Sequence, residues 1–135
     1  MTLKNREDFI MSKEVIGTEH APAAIGPYVQ AVKANGFLFV SGQLGIDMKT
    51  GELPESVADQ AKCSLDNMEA ILSEAGSSYA GVVKTTVFLT DMADFAGVNE
   101  VYKTFFRGVN PARSCIAVKA LPKGAKVEIE CIAAL

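Results

Sequence analysis

One arginine and two glutamates near the C-terminus are the side chains of this sequence best suited to binding a small charged molecule. Arg113 follows Pro111-Ala112 at the start of a predicted strand, and its planar guanidinium can hold a carboxylate through two parallel hydrogen bonds. Glu128 and Glu130 lie two residues apart in the next predicted strand and therefore share one of its faces. Charged groups there are exposed, paired or functional. The pattern by itself favours an exposed glutamate pair with one ion-paired arginine over a binding site.

The remaining reactive side chains form no recognised catalytic, metal-binding or phosphate-binding motif. His20 is the single histidine and lies in a predicted loop, which favours an exposed side chain over a general base. The three cysteines have no C-x-x-C spacing, and Cys115 and Cys131 alternate with apolar residues as small core side chains do. Tyr28 follows Gly26-Pro27 and fits either a packed aromatic residue or a hydroxyl offered to a ligand. We therefore predict no metal and no cofactor.

Composition narrows the class of protein further. The 135 residues are 49% hydrophobic and 21% charged, which is typical of one globular domain with a buried core. A formal net charge of -3 argues against nucleic acid as the main partner. Apolar stretches such as Phe37–Val40 are far shorter than the ~20 residues of a membrane helix. The first twenty residues show no signal-peptide pattern and an odd number of cysteines cannot all pair, so we predict a cytoplasmic protein with no membrane partner.

The first residues differ in character from the rest of the chain. Residues 1–10 are polar, carry charges of both signs and show neither a strand nor a helix period. Met11-Ser12-Lys13 resembles a second possible start. We therefore predict a flexible N-terminal extension over residues 1–11 and a single domain over residues 12–135.

The first half of this domain is predicted to contain a hairpin and a long helix. Strands are predicted over Tyr28–Ala34 and Phe37–Ile46, because β-forming residues flank Asn35-Gly36, a dipeptide favoured in tight turns. A short extra strand is possible at Glu14–Thr18. A helix is predicted from the N-cap Ser56 to Ala75, with Gly76 stopping it, because apolar residues recur there at helical spacing.

The second half adds strands and a second helix. Strands are predicted over Val82–Thr90, Arg113–Ala120 and Lys126–Ala133, and a helix capped by Asp94 is predicted to run through Phe106. The alternation predicts a two-layer α/β architecture with two helices on one face of a mixed sheet. The other face of such a sheet needs a partner, which indicates an oligomer.

Several short motifs, in order, resemble those of the RidA/YjgF family of imine deaminases. They are APAAIGPY at Ala21–Tyr28, VSGQ at Val40–Gln43, VKTTVF at Val83–Phe88, PARSC at Pro111–Cys115 and VEIE at Val127–Glu130. The resemblance extends from about Ser12 to the C-terminus and implies a chorismate-mutase-like fold, assembled as a homotrimer with a ligand cleft at each interface. The implied activity is hydrolysis of 2-imino acids or their enamine tautomers, such as 2-aminoacrylate, to 2-keto acids and ammonia, without a metal or cofactor.

The resemblance also implies roles for individual residues. Arg113 would bind the substrate carboxylate, and Glu128 would activate the attacking water and move a proton to the departing nitrogen. Four further residues would bind or support the substrate: Gly42 and Cys115 through backbone groups, Tyr28 from a neighbouring subunit, and Asn99 by supporting Arg113. The alternative is a regulatory small-molecule-binding or RNA-acting protein of the same fold, since relatives of this fold have been linked to ribonuclease-like and translation-inhibiting roles.

Overall fold

The structure, a computed structural model, describes residues 12–135. The predicted extension over residues 1–11 lies outside the described residues, and its boundary stays a prediction. Helix α1 spans Val57–Glu74 and helix α2 spans Phe95–Phe106. The strands are β1 (Glu14–Ile16), β2 (Ala31–Ala34), β3 (Phe37–Leu44), β4 (Val82–Leu89), β5 (Ala112–Ala117) and β6 (Val127–Ala134).

The six strands form one mixed sheet in the order β1-β2-β3-β6-β4-β5. All neighbours are antiparallel except β4 and β5, which are parallel and are connected through α2. Helix α1 packs on β3 and β6, and α2 packs beside α1. The predicted two-layer α/β architecture with two helices and a mixed sheet is therefore confirmed.

Local sequence signals mark the turn and the helix ends where they were predicted. Asn35 and Gly36 both have positive φ, 52° and 80°, as a tight hairpin turn between β2 and β3 requires. The Ser56 side chain accepts a hydrogen bond from the Asp59 backbone N–H at 3.1 Å at the start of α1. Gly76 ends the helix with φ at 81°, and the N–H of Ser77 donates to the carbonyl of Leu72.

The predicted cap of the second helix is wrong. The Asp94 side chain makes no capping hydrogen bond, because Asp94 already has helical backbone angles at the end of a short 3-10 turn. Asp91, three residues earlier, accepts from the Ala93 N–H at 2.9 Å. A short 3-10 turn over Met92–Asp94, capped by Asp91, therefore precedes α2.

Four strands are shorter than predicted by two residues or more, each for a local reason. Strand β2 begins at Ala31 and not at Tyr28 because the preceding residues bend away around the Gln30 side chain. Strand β1 ends at Ile16 because the Thr18 N–H donates to the Gln30 amide oxygen. Strand β3 ends before Gly45, where a Cβ atom would overlap the backbone carbonyl of Gln60. Strand β5 ends at Ala117 because β4, with which it pairs, ends at Leu89.

The helix-facing side of the sheet holds the core, and the opposite side is open. Val87, Ile129 and Ala133 are fully buried beneath the helices. On the open side a row of apolar side chains crosses four strands in register, with Val15 and Phe39 both substantially exposed; the row is Val15, Val32, Phe39 and Ile132. An apolar row of this length on one chain is a surface that a partner can cover.

Neither helix in residues 12–135 combines the length and the apolar character that a membrane crossing requires.

Candidate active site

The guanidinium of Arg113 is held in place by three side chains of α2. Its Nη1 atom donates to Oδ1 of Asn99 at 2.7 Å. Its Cζ atom lies 4.8 Å from the ring centroid of Tyr102 and 5.4 Å from that of Phe95. These contacts use one N–H group and the faces of the fork, so the remaining N–H groups are available to an incoming acceptor.

Arg113 opens into a groove of about 460 Å³ between β5 and α2, lined also by Asn99, Tyr102, Lys103 and Pro111. The simple interpretation from pattern, an arginine ion-paired on the surface, is wrong for the part of the chain that the structure describes. Among residues 12–135 the one ion pair within 4.0 Å joins Lys62 and Asp66. Within the described part of the chain, the positive charge of Arg113 therefore faces this groove without a carboxylate partner.

Gly42 and Glu128 lie against each other on neighbouring strands. A Cβ atom added to Gly42 would lie 2.8 Å from Cδ and 2.9 Å from Oε1 of Glu128. The ladder between β3 and β6 also shifts register between Val40 and Gln43, which is where this contact occurs. A side chain at position 42 would therefore displace the Glu128 carboxyl group, so the glycine keeps that carboxyl where it lies.

The carboxyl of Glu128 is a better proton carrier than an ordinary glutamate. Partial burial raises the pKa of Glu128, and the negative charge of Glu130 two residues along the same face raises it further. A raised pKa brings a carboxyl closer to the range in which it both accepts and releases a proton near neutral pH.

The influence of Glu130 can be measured on the Glu128 carboxyl itself. In Glu130→Gln the repulsion between two carboxylates is removed, so the pKa of Glu128 should fall, whereas Glu130→Asp keeps the charge and should leave it closer to the wild-type value. The measurement is an NMR titration of the carboxyl carbon of Glu128 in the three proteins. An unchanged pKa in Glu130→Gln would show that burial alone accounts for the shift.

Tyr28 lies beside the same end of β3 as Gly42. The Tyr28 side chain is 53% exposed, and its backbone N–H donates to the carbonyl of Gly26 at 2.8 Å. Next to it, the carbonyl of Val29 accepts from the Ser41 hydroxyl at 2.6 Å. Tyr28 is therefore exposed, and Val29 next to it is hydrogen-bonded to β3, the strand that carries Gly42.

The Gln30 side chain ties the residues next to Tyr28 to the preceding loop, a role that sequence reasoning missed. Its amide nitrogen donates to the carbonyls of Thr18 and Pro22, at 3.0 and 2.8 Å, and its oxygen accepts from the Thr18 N–H at 2.7 Å. Gln30 is buried, so these bonds also satisfy an amide that water does not reach. No local pattern marks a lone glutamine for this role.

The cysteine thiols do not provide a nucleophile. Burial raises the pKa of the Cys115 thiol, an effect that the nearby Arg113 charge only partly opposes. Burial raises the pKa of Cys131 to about 12 and also raises the pKa of Cys63. All three thiols are therefore protonated at neutral pH, and the thiolate is the reactive form. No group of histidine, cysteine and carboxylate side chains within residues 12–135 is arranged to hold a metal ion.

The predicted site residues fall into two groups that one chain does not bring together. Arg113 is in register with Thr85 on β4, and Thr85 points into the helix layer, where its hydroxyl meets Tyr102. Glu128 is in register with Phe88, on the opposite face, since Ile129 next to it is buried in the core. The two register partners are three residues apart, about 10 Å at strand spacing, and β5 and β6 lie on opposite sides of β4.

We call these groups the arginine group (Arg113, Asn99 and Cys115) and the glutamate group (Glu128, Gly42 and Tyr28). Cys115 lies two residues beyond Arg113 on β5, in register with the buried Val87. In the glutamate group, Gly42 touches Glu128 directly and the Tyr28 segment is bonded to Ser41. Each group is assembled within the chain, and the separation between the groups is across the sheet.

Residues 18–135 match the family model described as endoribonuclease L-PSP. The chain belongs to this family. The RidA/YjgF resemblance predicted from the motifs is confirmed, since the relatives of this family are named for that activity. One is the 2-iminobutanoate/2-iminopropanoate deaminase of Escherichia coli (strain K12), 54% identical over 91% of this chain and 98% of its own length. Another is the chloroplastic Reactive Intermediate Deaminase A of Arabidopsis thaliana, 54% identical over 93% of this chain and 67% of its own length.

Solved structures of the RidA/YjgF family share the fold. The crystal structure of E. coli TdcF with bound serine superposes with a TM-score of 0.87 at 50% identity, covering 90% of this chain and 98% of that chain. The sheet with two helices on one face is therefore the RidA/YjgF architecture.

Proposed function

We propose that this protein is a hydrolase acting on C=N bonds, which converts reactive 2-imino acids and their enamine tautomers into 2-keto acids and ammonia. The substrates would be 2-aminoacrylate, 2-iminopropanoate and 2-iminobutanoate, and their removal would protect pyridoxal-phosphate enzymes from them. The observation that carries the proposal is the Arg113 guanidinium, oriented by Asn99 and two rings and facing a groove with no carboxylate partner among residues 12–135. The activity named for the relatives supports it.

The chemistry needs positioning more than a strong nucleophile. The carboxylate of a 2-imino acid would bind the Arg113 fork, which fixes the neighbouring imine carbon in space. Glu128 would accept a proton from water as the water adds to that carbon, and would deliver a proton to the nitrogen as it leaves. The balance is imine plus water giving keto acid plus ammonia, so no oxidant and no cofactor is consumed. Backbone groups of Gly42 and Cys115 would complete the cradle.

We further propose that the complete site forms between two copies of the chain in a homotrimer. The arginine group of one copy would meet the glutamate group of its neighbour, with Tyr28 closing the cleft. Two observations support this arrangement: the groups lie on opposite faces within one chain, and the open side of the sheet carries the apolar row that includes Phe39 and Ile132. Burial of that row would stabilise the assembly. A trimer also agrees with the chorismate-mutase-like assembly that the resemblance implied.

The ligand in the TdcF structure, serine, is a small amino acid with a carboxylate. That chemistry fits an arginine-lined groove, and it supports small 2-imino and 2-keto acids as the ligands here. The proposed location is the cytoplasm, a reducing compartment in which free cysteines such as Cys63, Cys115 and Cys131 persist.

The description of the matched family names an endoribonuclease, which keeps an RNA-acting role as the second candidate. The net charge of -3 weighs against it, since RNA binding depends on clustered positive charge. Incubation with single-stranded RNA over a range of salt concentrations tests this role directly. Salt-sensitive binding or cleavage would favour it over the deaminase.

The deaminase proposal is tested by making the imine in solution with a threonine or serine dehydratase. We expect keto-acid release to accelerate when the protein is added, and light scattering to give three times the 14.3 kDa chain mass. A regulatory ligand-binding role would instead give the trimer without acceleration. A monomer with full activity would overturn the interfacial site.

A further inference from the structure

We infer that Tyr102, locked in place by Thr85, is a positioning residue that orients the Arg113 guanidinium for carboxylate binding. This inference rests on the proposed role of Arg113 in carboxylate binding. It explains how the surrounding side chains prepare the guanidinium for that role. The alternative is that Tyr102 is an ordinary core residue that happens to lie near the arginine.

Three residues of one helix face meet the guanidinium. Phe95, Asn99 and Tyr102 occupy positions i, i+4 and i+7 of α2, which lie along one stripe of a helix. The Tyr102 ring is the nearer of the two rings, with Cζ of Arg113 4.8 Å from its centroid. The rings restrain the height and tilt of the fork, and the Asn99 amide fixes its rotation through the 2.7 Å hydrogen bond.

Tyr102 itself cannot shift without breaking a buried bond. It is 6% exposed, and its hydroxyl lies 2.6 Å from the hydroxyl of Thr85, a residue with no exposed surface. Thr85 is also the register partner of Arg113 on β4. The contacts therefore close a ring through Thr85, Tyr102 and Arg113, so β4, which pairs with the strand of the arginine, also fixes the tyrosine ring beneath the guanidinium.

The three side chains described above as holding the arginine, Phe95, Asn99 and Tyr102, are neutral. Burial raises the pKa of Tyr102, so its side chain stays an uncharged phenol near neutral pH. Within residues 12–135 no carboxylate pairs with Arg113. A carboxylate partner would hold the fork as firmly but would compete with the ligand for it. Neutral support keeps the full charge of the guanidinium for the substrate carboxylate.

The test compares binding of 2-oxobutanoate, a stable 2-keto acid, with steady-state kinetics in matched variants. Tyr102→Leu should weaken 2-oxobutanoate binding roughly five- to tenfold, because the cation–π platform is lost, and should raise KM more than it lowers kcat. Tyr102→Phe combined with Thr85→Val keeps the ring and leaves no unpaired hydroxyl, but it removes the bond that locks the ring, so its loss of affinity should be smaller than that of Tyr102→Leu. Phe95→Leu changes a more exposed ring and should give a smaller loss.

Leu72→Ala is the control for a loosened core, because Leu72 is fully buried on α1 and not among the residues that contact Arg113. We expect it to lower the melting temperature and leave 2-oxobutanoate binding unchanged. Equal affinities in Tyr102→Leu and wild type would overturn the inference while leaving the proposed function intact. Wild-type binding in Arg113→Ala would remove the proposed function itself. If Leu72→Ala binds 2-oxobutanoate as weakly as Tyr102→Leu does, then Tyr102 acts through the stability of the core and not by positioning Arg113.

Discussion

Replacing Arg113 by alanine should abolish deaminase activity and weaken the binding of 2-keto acids at least about a hundredfold. The substitution removes two charge-assisted hydrogen bonds to the carboxylate, each contributing about 1.5–3 kcal/mol. The trimer should still form, because Arg113 is exposed and no carboxylate within residues 12–135 pairs with it. Calorimetric titration with 2-oxobutanoate and the dehydratase-coupled assay measure the two effects.

Two further variants make this result specific. Arg113→Lys should lose most of the activity as well, because an ammonium group cannot reproduce the planar fork or stack on the Tyr102 ring. Arg107→Ala is the matched control: Arg107 also lies over a tyrosine ring, with Cζ 4.7 Å from the centroid of Tyr79, but it lines a different groove. We expect Arg107→Ala to keep wild-type activity. Full activity in Arg113→Ala would refute the assignment of the carboxylate-binding residue.

Glu128→Gln should lower kcat by about 10²–10⁴-fold while leaving 2-keto acid binding within a few fold of wild type. The amide has nearly the same shape, so it can still lie against Gly42, but it can neither accept the proton of the attacking water nor return one to nitrogen. In the wild type, activity should fall as the pH drops through the pKa of Glu128, because the carboxylate form is the base. That limb should lie above the range of an ordinary glutamate, since burial and Glu130 raise this pKa.

Mixing the two inactive variants tests where the site is assembled. If Arg113 and Glu128 of one site come from different copies, co-refolded Arg113→Ala and Glu128→Gln chains should regain activity at about a quarter of the sites. Separately refolded samples, mixed without exchange, are the control and should stay inactive. A site built within one chain would show no recovery after co-refolding.

Glu130→Gln alone should retain activity, because the contact with Gly42 is made by Glu128.

Features that depend on local chemistry were predictable from the sequence. The Asn35-Gly36 hairpin, the Ser56 cap and the Gly76 stop each follow from the conformational preferences of one or two residues, and the structure has all three. The sheet layout was predictable as an architecture but not as strand lengths. Those lengths are set by contacts between distant segments, such as Gly45 against the backbone of Gln60.

The site was only partly visible in the sequence. Arg113 and Glu128 stand out as charges in apolar strands, but nothing in their spacing shows that they lie on opposite faces and on strands separated by β4. Phe95 and Tyr102 fitted a core stripe of α2, and Asn99 on the same stripe was the signal that this face also meets something polar. The bond between Tyr102 and Thr85 links residues 17 apart in sequence, and it needs the fold to be seen.

The topology places the arginine on an edge strand of the sheet. Among residues 12–135 strand β5 pairs with β4 alone, whereas β6 pairs with strands on both sides. A strand with one neighbour opens at a lower free energy than one in the middle of a sheet, so its backbone amides should exchange with solvent earlier. On heating, β5 should therefore open at a lower temperature than the core, and ligand binding by Arg113 should be lost with it. Thermal inactivation and thermal unfolding of the protein are then two separate events, with the first occurring at the lower temperature.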